Sequence, residues 1–187
     1  MKATGSSTER TIWNYFCCKG FSPAGVAGLM GNLYAESGLN PINLQSTYEK
    51  RLGLTDAEYT AAVDSGSYSN FVRDSAGYGL AQWTYWSRKE AMLNYARKTG
   101  ASIGDLMMQL DFMFQELKGH VAVFQVLRTA RTVKELAPIL SPACITTLLK
   151  IITNRIFVGS GGAWCEMKQA LEDALTKENK EEHTETR

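Results

Sequence analysis

Apolar residues recur at helical spacing along most of the chain, and this pattern predicts a mainly α-helical fold. A first helix is predicted over residues 9–18, with Ile12, Tyr15 and Phe16 on its inner face. Three later helices are predicted at residues 56–64, with Thr55 as the cap, at 87–98, ended by Gly100, and at 102–117. Apolar residues at core spacing in the last of these are Ile103, Leu106, Met107, Leu110, Met113, Phe114 and Leu117. No repeat and no convincing strand pattern occurs.

A further helix has clear signals at both of its ends, between residues 22 and 38. Ser22 can cap its start, Pro23 suits its first position, and Gly38 suits the left-handed residue that follows its end. Between this helix and Gly79 lies a long polar stretch, interrupted only by the helix at 56–64. A loop region of this length beside a helical body is typical of the border of a binding cleft.

Glu36 occupies the last turn of that helix, one turn beyond Leu33 on the apolar stripe of Val26 and Leu29. We therefore expect its carboxyl group to face a core at the negative end of the helix dipole. Both surroundings disfavour the charged form and raise the pKa of the group. A carboxylic acid that keeps its proton near neutral pH can protonate a leaving sugar oxygen. The alternative is a solvated surface glutamate, since terminal turns often fray.

Residues 74–84 form a second notable segment, because they combine two glycines, a carboxylate, an amide and aromatic rings. Gly77 and Gly79 allow backbone geometry that is denied to other residues. Asp74 offers a second carboxylate, and Gln82 is expected to hold substrate or water rather than the fold. The alternative is a glycine-containing turn that enters a helix with aromatic residues in its core.

Glu36-Ser37 followed by Gly79-Leu80-Ala81-Gln82 resembles the paired E-S and G-L-x-Q motifs of the lysozyme-like superfamily, which includes goose-type lysozymes and lytic transglycosylases. The segments at 43–50, 59–66, 71–74, 85–89, 102–106 and 109–112 extend the likeness to the phage tail lysozyme family, from about residue 11 to about residue 137. The resemblance implies a lysozyme-like helical domain whose long polar loop region borders the substrate cleft.

The resemblance implies a muramidase of phage or prophage origin, which cleaves the β-1,4 bond between N-acetylmuramic acid and N-acetylglucosamine in peptidoglycan. It assigns the general acid to Glu36 and a second, water-holding carboxylate to Asp74, with an inverted anomer as the product; Asp64 is the alternative second carboxylate. The expected substrate-binding residues are Ser37, Tyr78, Gln82, Trp83, Tyr85 and Trp86. Two alternatives remain: a lytic transglycosylase that gives a 1,6-anhydro product, and a non-catalytic cell-wall-binding or tail-assembly module.

Other chemistries find little support in the sequence. The four cysteines are Cys17, Cys18, Cys144 and Cys165, which show no metal-ligand spacing and no disulfide framework. A Cys-His peptidase needs a histidine base, but His183 lies in a charged tail and His120 in a turn between helical stretches. Neither a metal nor a cofactor is expected.

The bulk properties suit one domain that acts on the cell wall. The 187 residues carry a net charge of +1, so nucleic acid is not an expected partner. The expected partner is bacterial peptidoglycan, of Gram-positive walls first, with other phage tail proteins as further partners. A membrane span is not expected, because Lys150 and Arg155 interrupt the one long apolar run. Residues 1–10 lack the apolar core of a secretory signal, so the protein is expected to act from a virion or after release from the host cell.

The resemblance does not extend through the C-terminal part of the chain. We expect a single lysozyme-like domain over residues 1–176, in which residues 138–176 are a divergent closing segment. Residues 177–187 are dense in charge and lack apolar anchors, which predicts a disordered tail.

Overall fold

The structure, a computed structural model, describes residues 7–132 and 135–136 of the chain. Its helices are, in chain order, α1 (Ser7–Cys18), α2 (Pro23–Ser37), α3 (Ser46–Leu52), α4 (Asp56–Asp64), α5 (Trp86–Thr99), α6 (Leu106–Gly119) and α7 (Val121–Thr129). The predicted mainly α-helical fold is confirmed, and no strand occurs within the described residues. None of the helices in this part of the chain has the length and apolar character needed to cross a membrane.

The helix ends that were predicted from capping residues agree with the structure. Ser22 Oγ accepts a hydrogen bond from the Gly25 amide at 3.0 Å, and Gly38 takes a φ of 62°. α4 spans the predicted residues, and the Thr55 hydroxyl and the Glu58 carboxylate cap each other's backbone amides. The local hydrogen-bonding capacity of these residues is enough to fix where the helices begin and end.

α6 differs from its prediction, and α3 was not predicted. α6 begins four residues later than expected, because Asp105 Oδ1 accepts the Met108 amide at 2.7 Å and caps the helix there. The inner face also differs from the predicted one, since Met108 and Phe112 are buried while Met107 is 45% exposed. α3 is a short polar helix without a buried side chain, and it therefore has no apolar periodicity to reveal it.

The chain divides into two compact units, of which the first comprises residues 7–32, 122–132 and 135–136. Phe21 stacks on Phe16 at 5.3 Å and meets Phe124 edge-on at 5.4 Å between ring centroids. Backbone packing is close as well, because a Cβ at Gly25 would lie 1.9 Å from the carbonyl oxygen of Leu127. The first unit is thus a small aromatic cluster that requires glycine at one helix contact.

The second unit comprises residues 33–121 and contains all the candidate site residues. Its fully buried large side chains are Leu44, Tyr59, Phe71, Tyr78, Leu80, Trp83, Lys89, Met92, Ile103 and Leu110. A lysine among these apolar and aromatic side chains requires a partner. The single domain predicted to residue 176 stays a prediction, and the predicted closing segment at 138–176 and tail at 177–187 lie outside the described residues.

Candidate functional site

The last turn of α2 exposes Glu36 and buries Ser37. Helix residues are about 100° apart, so the position that follows Leu33 on the inner face is Ser37, four residues on. Glu36, three residues on, lies on the outer side of the helix. The predicted inward orientation of Glu36 is therefore wrong, and the desolvation expected from it is absent. Its carboxylate makes no hydrogen bond or ion pair with another described residue.

The Ser37 hydroxyl joins the end of α2 to the glycine-rich segment. Ser37 Oγ lies 2.9 Å from the carbonyl oxygens of both Leu33 and Leu80, and it shares its proton between them. The side chain is 7% exposed. The structure contradicts the predicted substrate contact by Ser37, because the hydroxyl is buried and holds backbone. The hydroxyl instead joins the two predicted motifs, Glu36-Ser37 and the segment at residues 79–82.

Residues 79–82, called the 79–82 turn below, form the tip of a tight hairpin. Trp83 N donates to Tyr78 O at 2.9 Å, and Gln82 N donates to Gly79 O at 3.2 Å. Gly79 and Gln82 both have positive φ, at 73° and 46°. The glycine adopts this geometry without strain, but a glutamine in it indicates a position held by its surroundings.

The Gln82 side chain is held by three acceptors. Its Nε2 donates to Asn43 Oδ1 at 2.8 Å, Asn43 O at 3.1 Å and Gly79 O at 3.2 Å. Two of these acceptors are backbone carbonyls, so the orientation of the amide is determined. Oε1 lies on the other side, 2.6 Å from the place of a Cβ at Gly77, which explains the glycine there. This oxygen has no hydrogen-bond partner among the described residues and is available as an acceptor for a ligand.

Residues 43–45 pair with residues 77–79 and support the turn from one side. Gly79 N donates to Asn43 O at 2.9 Å, and Gln45 N donates to Gly77 O at 2.9 Å. An isolated antiparallel bridge joins Leu44 to Tyr78 between these bonds. The backbone of the 79–82 turn is therefore part of a small paired structure rather than a free loop.

Gln109 of α6 is a supporting residue that the sequence interpretation missed. It is fully buried, its Oε1 accepts the Leu80 amide at 2.9 Å, and its Nε2 donates to the carbonyls of Pro41 and Ile103 at 2.6 and 2.7 Å. A Cβ at Gly79 would lie 2.8 Å from Gln109 Oε1. The only signal in the sequence was a glutamine among the apolar residues of α6.

Asp74 lies at the centre of a buried polar cluster. Its side chain is 3% exposed, and Lys89 Nζ lies 2.5 Å from Oδ1, which also accepts the Ala76 amide at 3.0 Å. Oδ2 accepts the hydroxyls of Tyr59 at 2.5 Å and Tyr68 at 3.1 Å. These four donors use the hydrogen-bonding capacity of the carboxylate. Asp74 therefore offers no free oxygen for a catalytic water in this structure, which argues against its predicted role as second carboxylate.

Burial determines the protonation of this cluster, called the Asp74 cluster below. Burial lowers the pKa of Lys89, and the hydrogen bond and charge of Asp74 oppose that shift. Burial also raises the pKa of Tyr59 and raises that of Tyr68 to about 12, and Asp74 adds to both shifts. The phenols therefore stay neutral donors. The partner of Asp74 is Lys89 and not Arg88, which pairs with Glu116 at 2.8 Å.

Two of the aromatic residues predicted to contact substrate are core residues instead. Trp83 is fully buried, and its Nε1 donates to Glu116 Oε2 at 2.8 Å. Tyr78 is fully buried, and its hydroxyl lies 2.5 Å from Thr60 Oγ1. The predicted substrate contacts of Tyr78 and Trp83 are contradicted, because neither ring reaches the surface and each polar atom already has a partner.

The other two aromatic residues lie on the surface, where the prediction requires them. Tyr85 is 63% exposed and Trp86 is 51% exposed, with ring centroids 6.0 Å apart. Together with Arg73, Ser75 and Thr84 they line a pocket of about 580 Å³. Exposed rings of this size are available to stack on a sugar.

The remaining sequence candidates are one carboxylate and two thiols. Asp64, the alternative second carboxylate, accepts the Ser102 hydroxyl at 2.5 Å and the Ile103 amide at 2.9 Å. Cys17 and Cys18 are free thiols in α1. Over residues 7–132 and 135–136, no group of three or more His, Cys, Asp or Glu side chains is arranged to hold a metal ion.

The comparisons with known proteins give a family match. Neither the curated proteins nor the solved structures include a significant match to the chain. The family model that matches is that of the phage tail lysozyme, and it covers residues 7–141. The matched region contains Glu36, the 79–82 turn and the Asp74 cluster. Because the match covers most of the 187 residues, the chain belongs to the phage tail lysozyme family, whose lysozyme-like members degrade peptidoglycan from the virion or outside the cytoplasm.

Proposed function

We propose that the protein cleaves the β-1,4 bond between N-acetylmuramic acid and N-acetylglucosamine of bacterial peptidoglycan, with Glu36 as the general acid. The observation that carries the proposal is the hydrogen bond from Ser37 Oγ to Leu80 O, at 2.9 Å. It holds the last turn of α2, and with it the backbone of the exposed Glu36, against the 79–82 turn. The backbone of Glu36 is thereby fixed, while its carboxyl group has no partner in the described part of the chain. A catalytic acid needs both properties to reach a substrate.

A bound glycan supplies the surroundings that a general acid needs. A sugar placed over Glu36 excludes water from the carboxyl group and favours its neutral, proton-bearing form. The proton then passes to the oxygen of the leaving sugar as the glycosidic bond breaks. Gln82 Oε1 is a fixed acceptor on the adjacent turn, suited to a sugar hydroxyl or amide.

The test compares the wild type with Glu36→Gln on purified Gram-positive cell walls. General acids contribute about 10²–10⁴-fold, so Glu36→Gln should lose roughly 10²-fold or more of the rate at which turbidity falls. Glu90→Gln is the matched control, since Glu90 is another exposed helical glutamate of the second unit. It should keep the wild-type rate.

The same experiment separates the enzyme from a non-catalytic wall-binding or tail-assembly module. Sedimentation with the walls measures binding independently of cleavage. Glu36→Gln should bind as the wild type does while it cleaves poorly. Equal binding without cleavage by the wild type supports the module, and a Glu36→Gln rate close to that of the wild type refutes the assignment of the acid.

A second candidate is a lytic transglycosylase, which the Asp74 cluster favours. Asp74, the predicted base, has its oxygens occupied by four protein donors, while the alternative, Asp64, is exposed and accepts one donor on each oxygen. A transglycosylase needs no second carboxylate, because O6 of the muramic acid attacks its own anomeric carbon. Glu36 would give its proton to the leaving oxygen and then take the proton from O6, closing a 1,6-anhydro ring.

Mass spectrometry of the muropeptide products distinguishes the two reactions. An anhydro product is lighter by one water than the hydrolysis product. A reducing muramic acid would instead support the hydrolase and require a water held by a group other than Asp74.

We also propose where and on what the protein acts. Gram-positive walls are the first substrate, since their peptidoglycan is reached without crossing an outer membrane. Other phage tail proteins are the proposed binding partners if the protein acts from a virion, and co-purification of the full chain with assembled tails tests this.

A further inference from the structure

The pocket lined by Arg73, Ser75, Thr84, Tyr85 and Trp86, called the Arg73 pocket below, combines a cation, hydroxyl groups and flat rings. The main-chain geometry around Asp74 explains why the guanidinium of the preceding residue, Arg73, lies at the surface. Asp74 Oδ1 accepts the Ala76 amide two residues on, and Ser75 takes a φ of 61°. The turn points Asp74 inward and leaves Arg73 and Ser75 exposed.

Arg73 has no carboxylate partner within the described part of the chain. The adjacent Asp74 is committed to Lys89, and Glu116 is committed to Arg88. An arginine in a pocket without an acid is suited to an external anion, and its planar guanidinium matches a carboxylate in particular.

The rings beside Arg73 indicate that the anion belongs to a carbohydrate. Tyr85 and Trp86 are more than half exposed and adjoin the cation in the same pocket of about 580 Å³. Exposed aromatic area of this kind, next to polar groups, marks a binding surface for a ligand with both a flat face and charge.

The Arg73 pocket is attached to the 79–82 turn. Thr84 Oγ1 donates to Gln82 O at 2.9 Å. Thr84 is four steps along the chain from Leu80, whose carbonyl accepts the Ser37 hydroxyl, and four extended steps span at most about 14 Å. The pocket is therefore within a few sugar units of the Glu36 end of α2.

We propose that the Arg73 pocket binds a carboxylate on the lactyl arm of N-acetylmuramic acid, with the sugar ring against Tyr85 and Trp86. The inference rests on the proposed function, because it identifies the part of peptidoglycan that the protein recognises. The carboxylate can come from the peptide stem or, where the stem has been removed, from the lactyl group itself. N-acetylglucosamine carries no such group.

The test measures binding, by titration calorimetry at low salt, and needs no turnover. The ligands are the GlcNAc–MurNAc disaccharide with its pentapeptide, the same disaccharide without peptide, and chitobiose, which has no carboxylate. Arg73→Gln should weaken the binding of the pentapeptide form roughly tenfold, the effect of one charge-assisted contact, and should leave chitobiose unchanged. Arg73 is exposed, so the substitution should not affect folding.

Two further variants make the result specific. Arg97→Gln is the matched control, since Arg97 lines a separate pocket of about 280 Å³, and it should change none of the affinities. Tyr85→Ala should weaken all three ligands, because it removes a face that every sugar uses.

The outcomes separate the two carboxylates and the two proposals. An Arg73 effect confined to the pentapeptide form identifies the stem, and an effect confined to the peptide-free form identifies the lactyl carboxylate, which the stem otherwise holds as an amide. An effect on both forms shows that the pocket accepts either carboxylate. No Arg73 effect on either charged ligand, or an equal loss for chitobiose, overturns the inference. Arg73-dependent binding by a protein without cleavage activity would refute only the proposed catalysis.

Discussion

The carboxylate of Glu36 lies on the outer side of α2 without a partner in the described part of the chain, whereas that of Asp74 lies inside the second unit with four donors around it. Both groups are carboxylates, but only that of Glu36 is available to a substrate. An exposed acid can change its proton and its partner when a substrate arrives. A saturated, buried acid can do so only if the fold around it rearranges, so its contribution is to stability.

The largest expected effect concerns Asp74. Asp74→Asn leaves the Lys89 ammonium buried without its counter-charge, and the free energy of unfolding should fall by about 3–5 kcal/mol, as for other broken buried pairs. Urea unfolding at neutral pH, followed by circular dichroism, measures this. If stability were unchanged and activity lost, Asp74 would be catalytic after all.

A double substitution provides the control for that result. Asp74→Asn combined with Lys89→Met removes both charges, so it should recover a large part of the stability that Asp74→Asn loses. If the double variant were no more stable than Asp74→Asn, the lost stability would come from the hydrogen bonds of Asp74 to the two tyrosines and to the Ala76 amide, and not from the charge pair.

The next effect concerns Gln82, whose side chain both supports the turn and leaves one oxygen free. Gln82→Ala removes three hydrogen bonds to Asn43 and Gly79, so the free energy of unfolding should fall by about 1–2 kcal/mol. This revises the expectation that Gln82 leaves the fold unaffected. Gln115→Ala, on the exposed face of α6, is the control and should change little. If Gln82→Ala had wild-type stability, the side chain would not support the fold, and only the predicted contact with substrate would remain.

A smaller effect should appear in alkaline solution. The pKa of Tyr68 is raised from 10.0 to about 12 in the folded protein, so above pH 10 the unfolded chain loses this proton first. The stability that Tyr68 contributes is therefore lost as the pH rises from 10 to 12. Tyr68→Phe cannot ionise, and its unfolding midpoint should fall less over that range. The lowered pKa of Lys89 acts in the opposite direction below pH 10.5, but equally in both proteins.

The smallest expected effect completes the comparison. Glu36→Gln should change the free energy of unfolding by no more than about 0.5 kcal/mol, because Glu36 is exposed and makes no contact that the substitution removes. The same urea titration measures it. A loss comparable to that of Asp74→Asn would show that Glu36 has a structural partner, and its proposed role as a free acid would fail.

Local patterns were sufficient for the helix ends that were predicted from capping residues and glycine stops, and the pairing of the two motifs was expected from the family resemblance. Caps such as Thr55 and stops such as Gly38 act through neighbouring backbone groups, so a short stretch of sequence determines them. The same reasoning misplaced Glu36, because positions three and four residues beyond Leu33 lie on opposite sides of the stripe. An apolar pattern that ends in the last turn of a helix does not indicate which of these two positions is buried.

The site contacts that were missed are long-range and polar. Lys89 lies in a helix whose pattern marks it as a surface residue, and its burial is explained by tertiary partners, Asp74 Oδ1 at 2.5 Å and the carbonyl oxygen of Ala76 at 2.8 Å. Trp83 was assigned to substrate for its ring, but its indole nitrogen already has Glu116 as a partner. Whether a polar or aromatic residue meets a ligand or another part of the chain depends on tertiary packing, which periodicity does not describe.

The Gln109 amide has a consequence for the order of events in folding. Its three backbone partners lie 68, 29 and 6 residues away along the chain. The Leu80 and Pro41 bonds can form only after distant loops have closed on α6, late in the search for the native state. Substitution of Gln109 should therefore accelerate unfolding much more than it slows refolding. In hydrogen-exchange experiments the amide of Leu80 would then be expected to open before those of the surrounding helices, so that the backbone nearest the proposed acid is also the part of the second unit that is completed last.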